Sequence, residues 1–148
     1  MKFRFATECD VPKIMFFIKE LAEYERMLDE VVATEEDIRR ELFDKGRAEV
    51  IFALDDEDKE VGFALYFYTF STFLGKSGIH LEDLYVLPER RGEGFGKGLL
   101  TELRRICRER SCGRLEWTCL AWNTPSLDFY RSIGAVTMDE WKLLRLSN

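Results

Sequence analysis

The sequence predicts an α+β fold built on a mixed sheet, and three observations carry that expectation. Apolar periodicity switches between two and 3.6 along the chain, so strands and helices both occur. The elements run strand, two helices, three strands, helix, strand, helix, two strands. Three consecutive strands after two helices exclude a doubly wound parallel sheet. No linker, repeat or low-complexity stretch interrupts the chain, so residues 1–148 read as one domain. The expected form is a central twisted mixed sheet flanked by about four helices.

Each element has a local reason. Phe3 and Phe5 alternate with Lys2 and Arg4, which gives a strand over 2–6. Asp10 followed by Val11-Pro12 signals a cap and a first-turn proline. Ile14, Phe17, Ile18, Leu21 and Ala22 then recur at helical spacing, placing the first helix at about 11–26. Thr34 with Glu35, Glu36 and Asp37 opens a second helix, which runs to about Asp44 and stops at Gly46. Ala48 to Leu54 is a strand, and residues 55–60 read as a charged, solvated hairpin turn. Val61 to Phe70 is almost wholly apolar and therefore a central strand; residues 71–78 read as a loop. Leu81 to Leu87 is a buried strand, and the third helix covers about 95–110 with Leu99, Leu100, Leu103, Ile106 and Cys107 inward. Leu115 to Ala121 is a strand, and Asn123 to Ser132 a short helix closed by Gly134. Val136 to Met138 and Trp141 to Leu146 read as two closing strands.

Composition narrows the function. A hydrophobic share of 46% with 14% aromatics supports a packed core. The net charge of −6 argues against a nucleic-acid partner and suits a small cationic one. Cys9, Cys107, Cys112 and Cys119 form no C-x-x-C pair, and with His80 as the one histidine no metal site is expected. Free thiols fit a reducing compartment. The chain starts Met-Lys-Phe-Arg-Phe without an apolar signal core, and no apolar run approaches ~20 residues. The expectation is a cytoplasmic protein with no membrane partner.

The chemistry concentrates at residues 81–100. Two acids, Glu82 and Asp83, lie on the strand, and Pro88 ends it. Arg91-Gly92-Glu93-Gly94-Phe95-Gly96-Lys97-Gly98 then leads into the third helix. A glycine loop opening a helix aims free N–H groups and the positive end of the dipole at one spot, which suits phosphate. The G-x-G-x-x-G spacing fails here, since Lys97 and Leu99 fall where a third glycine is needed. The P-loop also fails, because Gly98 follows Gly96-Lys97 and no Ser or Thr is placed for magnesium. The remaining choices are a different phosphate loop, Arg-x-x-Gly-x-Gly at Arg91, Gly94 and Gly96, or a plain strand-to-helix turn. A second stretch, residues 121–135, sets Asn123 after a strand and Tyr130 seven residues on, two helical turns away on one side.

Both stretches resemble motifs of the GNAT N-acetyltransferases: the pyrophosphate loop, and the A-x-N-x-x-[AS]-x-x-[FL]-Y-x-x-x-G segment. Across nearly the whole chain the sequence is most similar to spermidine/spermine N-acetyltransferases and their thialysine-acetylating relatives. This rests also on Ile18 to Glu25, Val61 to Ala64, Leu81 to Val86 and Trp122-Asn123 with Pro125-Ser126. The resemblance implies acetyl-CoA as co-substrate, held by Leu84, Tyr85, Val86, Arg91, Gly92, Glu93, Gly94, Phe95, Gly96, Lys97, Asn123, Ser126 and Tyr130. It implies Tyr24, Glu25, Glu82, Asp83 and Glu140 as amine-site positions, Tyr130 as proton donor, and a homodimer. Ser71-Thr72-Phe73 replaces the Asp-Pro-Trp of the polyamine enzymes, which puts polyamine specificity in doubt.

An alkyl ammonium with a pKa near 10 must lose a proton before it attacks a thioester. Glu82 is the candidate general base, with Asp83 second; the alternative is that both only steer the cation. A backbone N–H near Tyr85 or Val86 can stabilise the oxyanion if the strand is locally unpaired, commonly at a bulge. Transfer is then direct, since no cysteine lies in either motif. His80 precedes Glu82 by two residues and reads as a structural histidine. The competing function is a non-catalytic acyl-CoA-binding regulatory module on the same fold.

Overall fold

The strands of the sheet lie side by side in chain order, β1-β2-β3-β4-β5. A computed structural model describes all residues, 1–148. Two compact units make up the chain, Met1–Thr118 and Cys119–Asn148. The first contains β1 (Lys2–Phe5), α1 (Val11–Tyr24), α2 (Glu35–Ile38) running on as a π-helical segment (Arg39–Asp44), β2 (Glu49–Leu54), β3 (Glu60–Ser71), β4 (Lys76–Val86), α3 (Phe95–Glu109) and β5 (Leu115–Trp117). The first four strands are antiparallel and β5 joins β4 in parallel, so the sheet is mixed, as the element order predicts.

Apolar side chains cover both faces of this sheet. On one, Phe17 of α1 is buried with its ring 5.1 Å from that of Phe63, 6.0 Å from Phe52 and 6.5 Å from Tyr85. On the other lies α3, with Leu99, Leu103 and Ile106 buried. Leu99 Cδ1 sits 3.3 Å from the place a Cβ on residue 62 would take, so Gly62 lets α3 approach β3 closely.

Several local expectations change. Asp10 makes no side-chain cap bond to α1. Its carboxylate accepts instead from the Thr7 N–H at 2.7 Å and from both terminal nitrogens of Arg4, at 2.8 and 2.9 Å. Charge-assisted bonds to a guanidinium outweigh a cap. The turn at 55–60 is more than solvated charge. Asp55 accepts from the N–H groups of Glu57 and Lys59 and from Arg90 at 2.8 Å. β4 starts at Lys76, so the loop read over 71–78 shrinks to a tight turn in which the Gly75 N–H donates to the Ser71 carbonyl at 2.8 Å. Pairing with β3 overrides the polar composition of that stretch.

The second unit carries α4 (Thr124–Ser132) and no strand. The expected strand over Leu115 to Ala121 is confined to Leu115–Trp117, and Val136 to Met138 and Trp141 to Leu146 are not strands. Val136, Met138, Trp141, Leu143, Leu144 and Leu146 are exposed. Alternating apolar residues define a strand face, but a strand forms only where its N–H and C=O groups find a partner ladder.

Candidate active site

The site begins with a register change. Leu65 of β3 pairs with Asp83, while the next residue, Tyr66, pairs with Leu81; Glu82 is the extra residue of a β-bulge. Cross-strand partners share a face, so the bulge flips the alternation. Asp83 joins Leu65 and Phe63 on the α1 face, and Leu81 falls on the α3 face. His80 pairs with Phe67, two residues from Leu65, and so shares the face of Asp83. Without the bulge, period two would put His80 and Asp83 on opposite faces. The ladder to β5 covers only Ile79 to Leu81. From Glu82 to Val86 the β5-side edge of β4 therefore meets no strand, the unpaired stretch that the chemistry requires.

Three carboxylates meet here. Glu25 follows the last residue of α1, and burial and then the charge of Glu82 raise its pKa. Asp83 is pushed up to about 7, first by burial and then by the charges of Glu82 and Glu25. Glu82 is the open member, its side chain 57% exposed and its Oε2 3.7 Å from His80 Nε2. A carboxylate raised towards neutrality in this way is a stronger base than an ordinary one, and its ionised form can accept a proton from an ammonium.

The glycine loop is built next to these acids. Pro88–Arg90 forms a single 310 turn after β4, and α3 begins at Phe95. Gly92 and Gly94 take φ of +81° and +90°, the left-handed region that glycine enters at least cost. A Cβ on residue 92 would meet no atom within 4 Å, so the loop surface is open there. The first intrahelical bond after the cap is the Gly98 N–H to the Gly94 carbonyl at 2.8 Å, leaving the N–H groups of Phe95, Gly96 and Lys97 for an outside acceptor. These features fit a pyrophosphate. Two arginines brace the loop. Arg90 bonds Asp55 and Glu93, each at 2.8 Å, so the Glu93 side chain helps to brace the loop. Arg91 Nε donates to the Val86 carbonyl at 3.1 Å. Phe95 is buried core, with the Arg90 guanidinium 5.3 Å from its ring centroid.

An acetyltransferase (GNAT) family profile matches residues 16–135. The chain belongs to the GNAT acetyltransferase family. It is an acetyl-CoA-dependent N-acetyltransferase, and acetyl-CoA is the co-substrate of that family. The thialysine N-epsilon-acetyltransferase of Bos taurus is 34% identical over 145 residues, covering 93% of this chain and 85% of that one. A human protein named spermidine/spermine N(1)-acetyltransferase-like protein 1 is 33% identical over 156 residues, covering 97% of this chain and 22% of its own length. Among solved structures, an integron cassette protein from the mobile metagenome of V. cholerae superposes with a TM-score of 0.81 at 28% identity, covering 99% of this chain and 92% of that one.

Of the GNAT site residues expected from sequence, the first unit brings together Tyr24, Glu25, Glu82, Asp83, Leu84, Tyr85, Val86 and the loop from Arg91 to Lys97. Asn123, Ser126, Tyr130 and Glu140 belong to the second unit. There Asn123 is buried and its side-chain oxygen accepts from the Ser126 N–H at 3.4 Å, capping α4. Tyr130 is half-buried on that helix beside Phe129, with ring centroids 5.6 Å apart. Glu140 lies in an exposed turn. Sequence reasoning missed Asp55 and Arg90 as loop braces. Thirty-five residues separate them, and no periodicity signals such a pair.

Proposed function

We propose that this N-acetyltransferase acetylates the terminal primary amine of a small cation, a thialysine-like amino acid ahead of a polyamine. The observation that carries the amine assignment is the meeting of Glu25, Glu82 and Asp83 at the bulge where β4 loses its β5 neighbour. An ammonium group is attracted to those acids and gives up its proton to Glu82, with Asp83 as the second candidate base. Glu82, facing solvent, passes the proton on to water. N–H groups on the unpaired edge near Tyr85 and Val86 stabilise negative charge on the acyl oxygen. The loop from Gly92 to Lys97 orients the coenzyme pyrophosphate. Bound acetyl-CoA supplies the acetyl group as a thioester. Tyr130 keeps the role implied by the family resemblance, donor of a proton to the departing thiolate, with Asn123 and Ser126 as coenzyme contacts and Glu140 as an amine-site acid.

The amino-acid preference is supported by Bos taurus thialysine acetyltransferase and by Ser71-Thr72-Phe73, which lacks the acid and indole of the polyamine enzymes. Arg26, directly after Glu25, is the candidate partner for a substrate carboxylate. A homodimer is part of the same reading, supported by the exposed Phe70, Phe73 and Leu74 at the β3–β4 turn. A reducing cytoplasm is supported by four free cysteines. No helix is long and apolar enough to cross a membrane.

The test is coenzyme-thiol release from acetyl-CoA with thialysine, lysine, putrescine, spermidine, spermine, an aminoglycoside and a peptide amine. Thialysine should turn over fastest, and Tyr130→Phe should lower kcat by about 10²-fold or more. Turnover confined to polyamines would overturn the amino-acid preference. Turnover of none but the peptide would overturn the small-cation assignment.

A further inference from the structure

The Arg91 side chain turns back from the glycine loop and is held at three points. Its Nε donates to the carbonyl of Val86, the last residue of β4. Its guanidinium carbon lies 5.1 Å from the ring centroid of Tyr85 and 5.2 Å from that of Tyr24. Tyr24 is the last residue of α1, and Glu25 follows it. The guanidinium thus ties the residue that opens the coenzyme loop to the end of the helix that presents an amine-site acid. The loop needs such a tie. Gly92 and Gly94 both occupy left-handed conformations, and glycines lose the most freedom when fixed. Arg90 braces one side through Asp55 and Glu93, and Arg91 holds the other.

We infer that Tyr24 is a positioning residue for the coenzyme: through its ring on Arg91 it preorganises the glycine loop while forming part of the amine site. The inference rests on the reading of Gly92 to Lys97 as the coenzyme loop, and it adds a coupling between the two substrate sites. Preorganisation raises affinity by removing an ordering cost from binding. Linkage makes the effect reciprocal: an amine that packs on Tyr24 and fixes its ring tightens coenzyme binding by the same factor as coenzyme tightens the amine.

The test is calorimetric titration of acetyl-CoA, without any amine, into wild type, Tyr24→Phe, Tyr24→Leu, Arg91→Met and the Tyr24→Leu/Arg91→Met double variant, with melting temperatures alongside. A half-exposed cation–π contact corresponds to about two- to fivefold in Kd. Tyr24→Leu should weaken acetyl-CoA by about that factor, and Tyr24→Phe, which keeps the ring, should stay within about twofold of wild type. In the Arg91→Met background, Tyr24→Leu should add nothing, because its effect runs through the guanidinium. An unchanged Kd for Tyr24→Leu, an equal loss in Tyr24→Phe, or a Leu penalty that persists with Arg91 replaced would each overturn the inference. Those outcomes leave the coenzyme loop standing, since wild type still binds. Failure of wild type to bind acetyl-CoA would overturn the loop reading and this inference with it.

Discussion

Replacing Asp83 by asparagine should make the protein more tolerant of neutral and alkaline pH. Burial and the neighbouring charges of Glu82 and Glu25 raise the folded-state pKa of Asp83 from 3.8 to about 7. Below the lower value, both folded and unfolded chains carry the proton, and the site costs nothing. Between the two values the unfolded chain ionises and the folded one does not, so stability falls as pH rises. Above pH 7 the full difference is lost. Three units at 1.36 kcal/mol each amount to about 4 kcal/mol. For a chain of this size, that corresponds to about 8–16 °C in Tm. Asparagine does not ionise, so the Tm of Asp83→Asn minus that of wild type should climb between pH 4 and pH 8 by an amount of that order. Thermal melts without ligands, at half-unit pH intervals, read it directly. Any constant packing difference between Asp and Asn shifts the two curves in parallel and cancels in the comparison. Curves that stay parallel across the range would refute the reasoning, since Asp83 would then ionise alike in both states.

Two further outcomes follow from the same structure. Arg4 holds Asp10 down to about 2, so this acid stabilises above its unfolded pKa and loses that contribution as pH falls through the folded value. Asp10→Asn should cost about 2 kcal/mol in urea unfolding at pH 7 and distinctly less at pH 3; an equal cost at both would remove the ion pair as the cause. Gly94→Ala places a side chain at φ +90°, a strain of about 1–2 kcal/mol, in the glycine loop proposed to hold the coenzyme. If the strained free loop relaxes and must be restored on binding, acetyl-CoA affinity should fall by about tenfold in titration; an unchanged Kd would show that the strain is carried alike with and without coenzyme.

Much of the site was legible because its parts are local. Alternating glycines before an amphipathic helix pointed to an anion cradle or a plain turn, and Gly92 and Gly94 take left-handed conformations there, which fits a cradle. The mixed sheet followed from element order, and the unpaired stretch of β4 from what the chemistry demands. Less legible were contacts between residues far apart in the chain. Asp55 looked like a solvated turn acid and proves to brace Arg90. Asp10 looked like a helix cap and pairs with Arg4, which also bonds Glu60 at 2.5 Å. Residues 136–146 carry strand-like alternation without forming strands, because alternation fixes a face and a ladder needs a partner.

By itself the sequence determined the class of fold and the position of most helices and of the central strands, since these depend on neighbours within a few residues. It also placed Glu82 and Asp83 side by side on a strand. Only the tertiary structure decided which way they face. One extra residue in β4 relative to β3 turns Asp83 onto the α1 side, where Glu25 waits and water is scarce. That register is set by packing of the sheet against α1 and α3, and a pairing offset of one residue reverses every side chain beyond it.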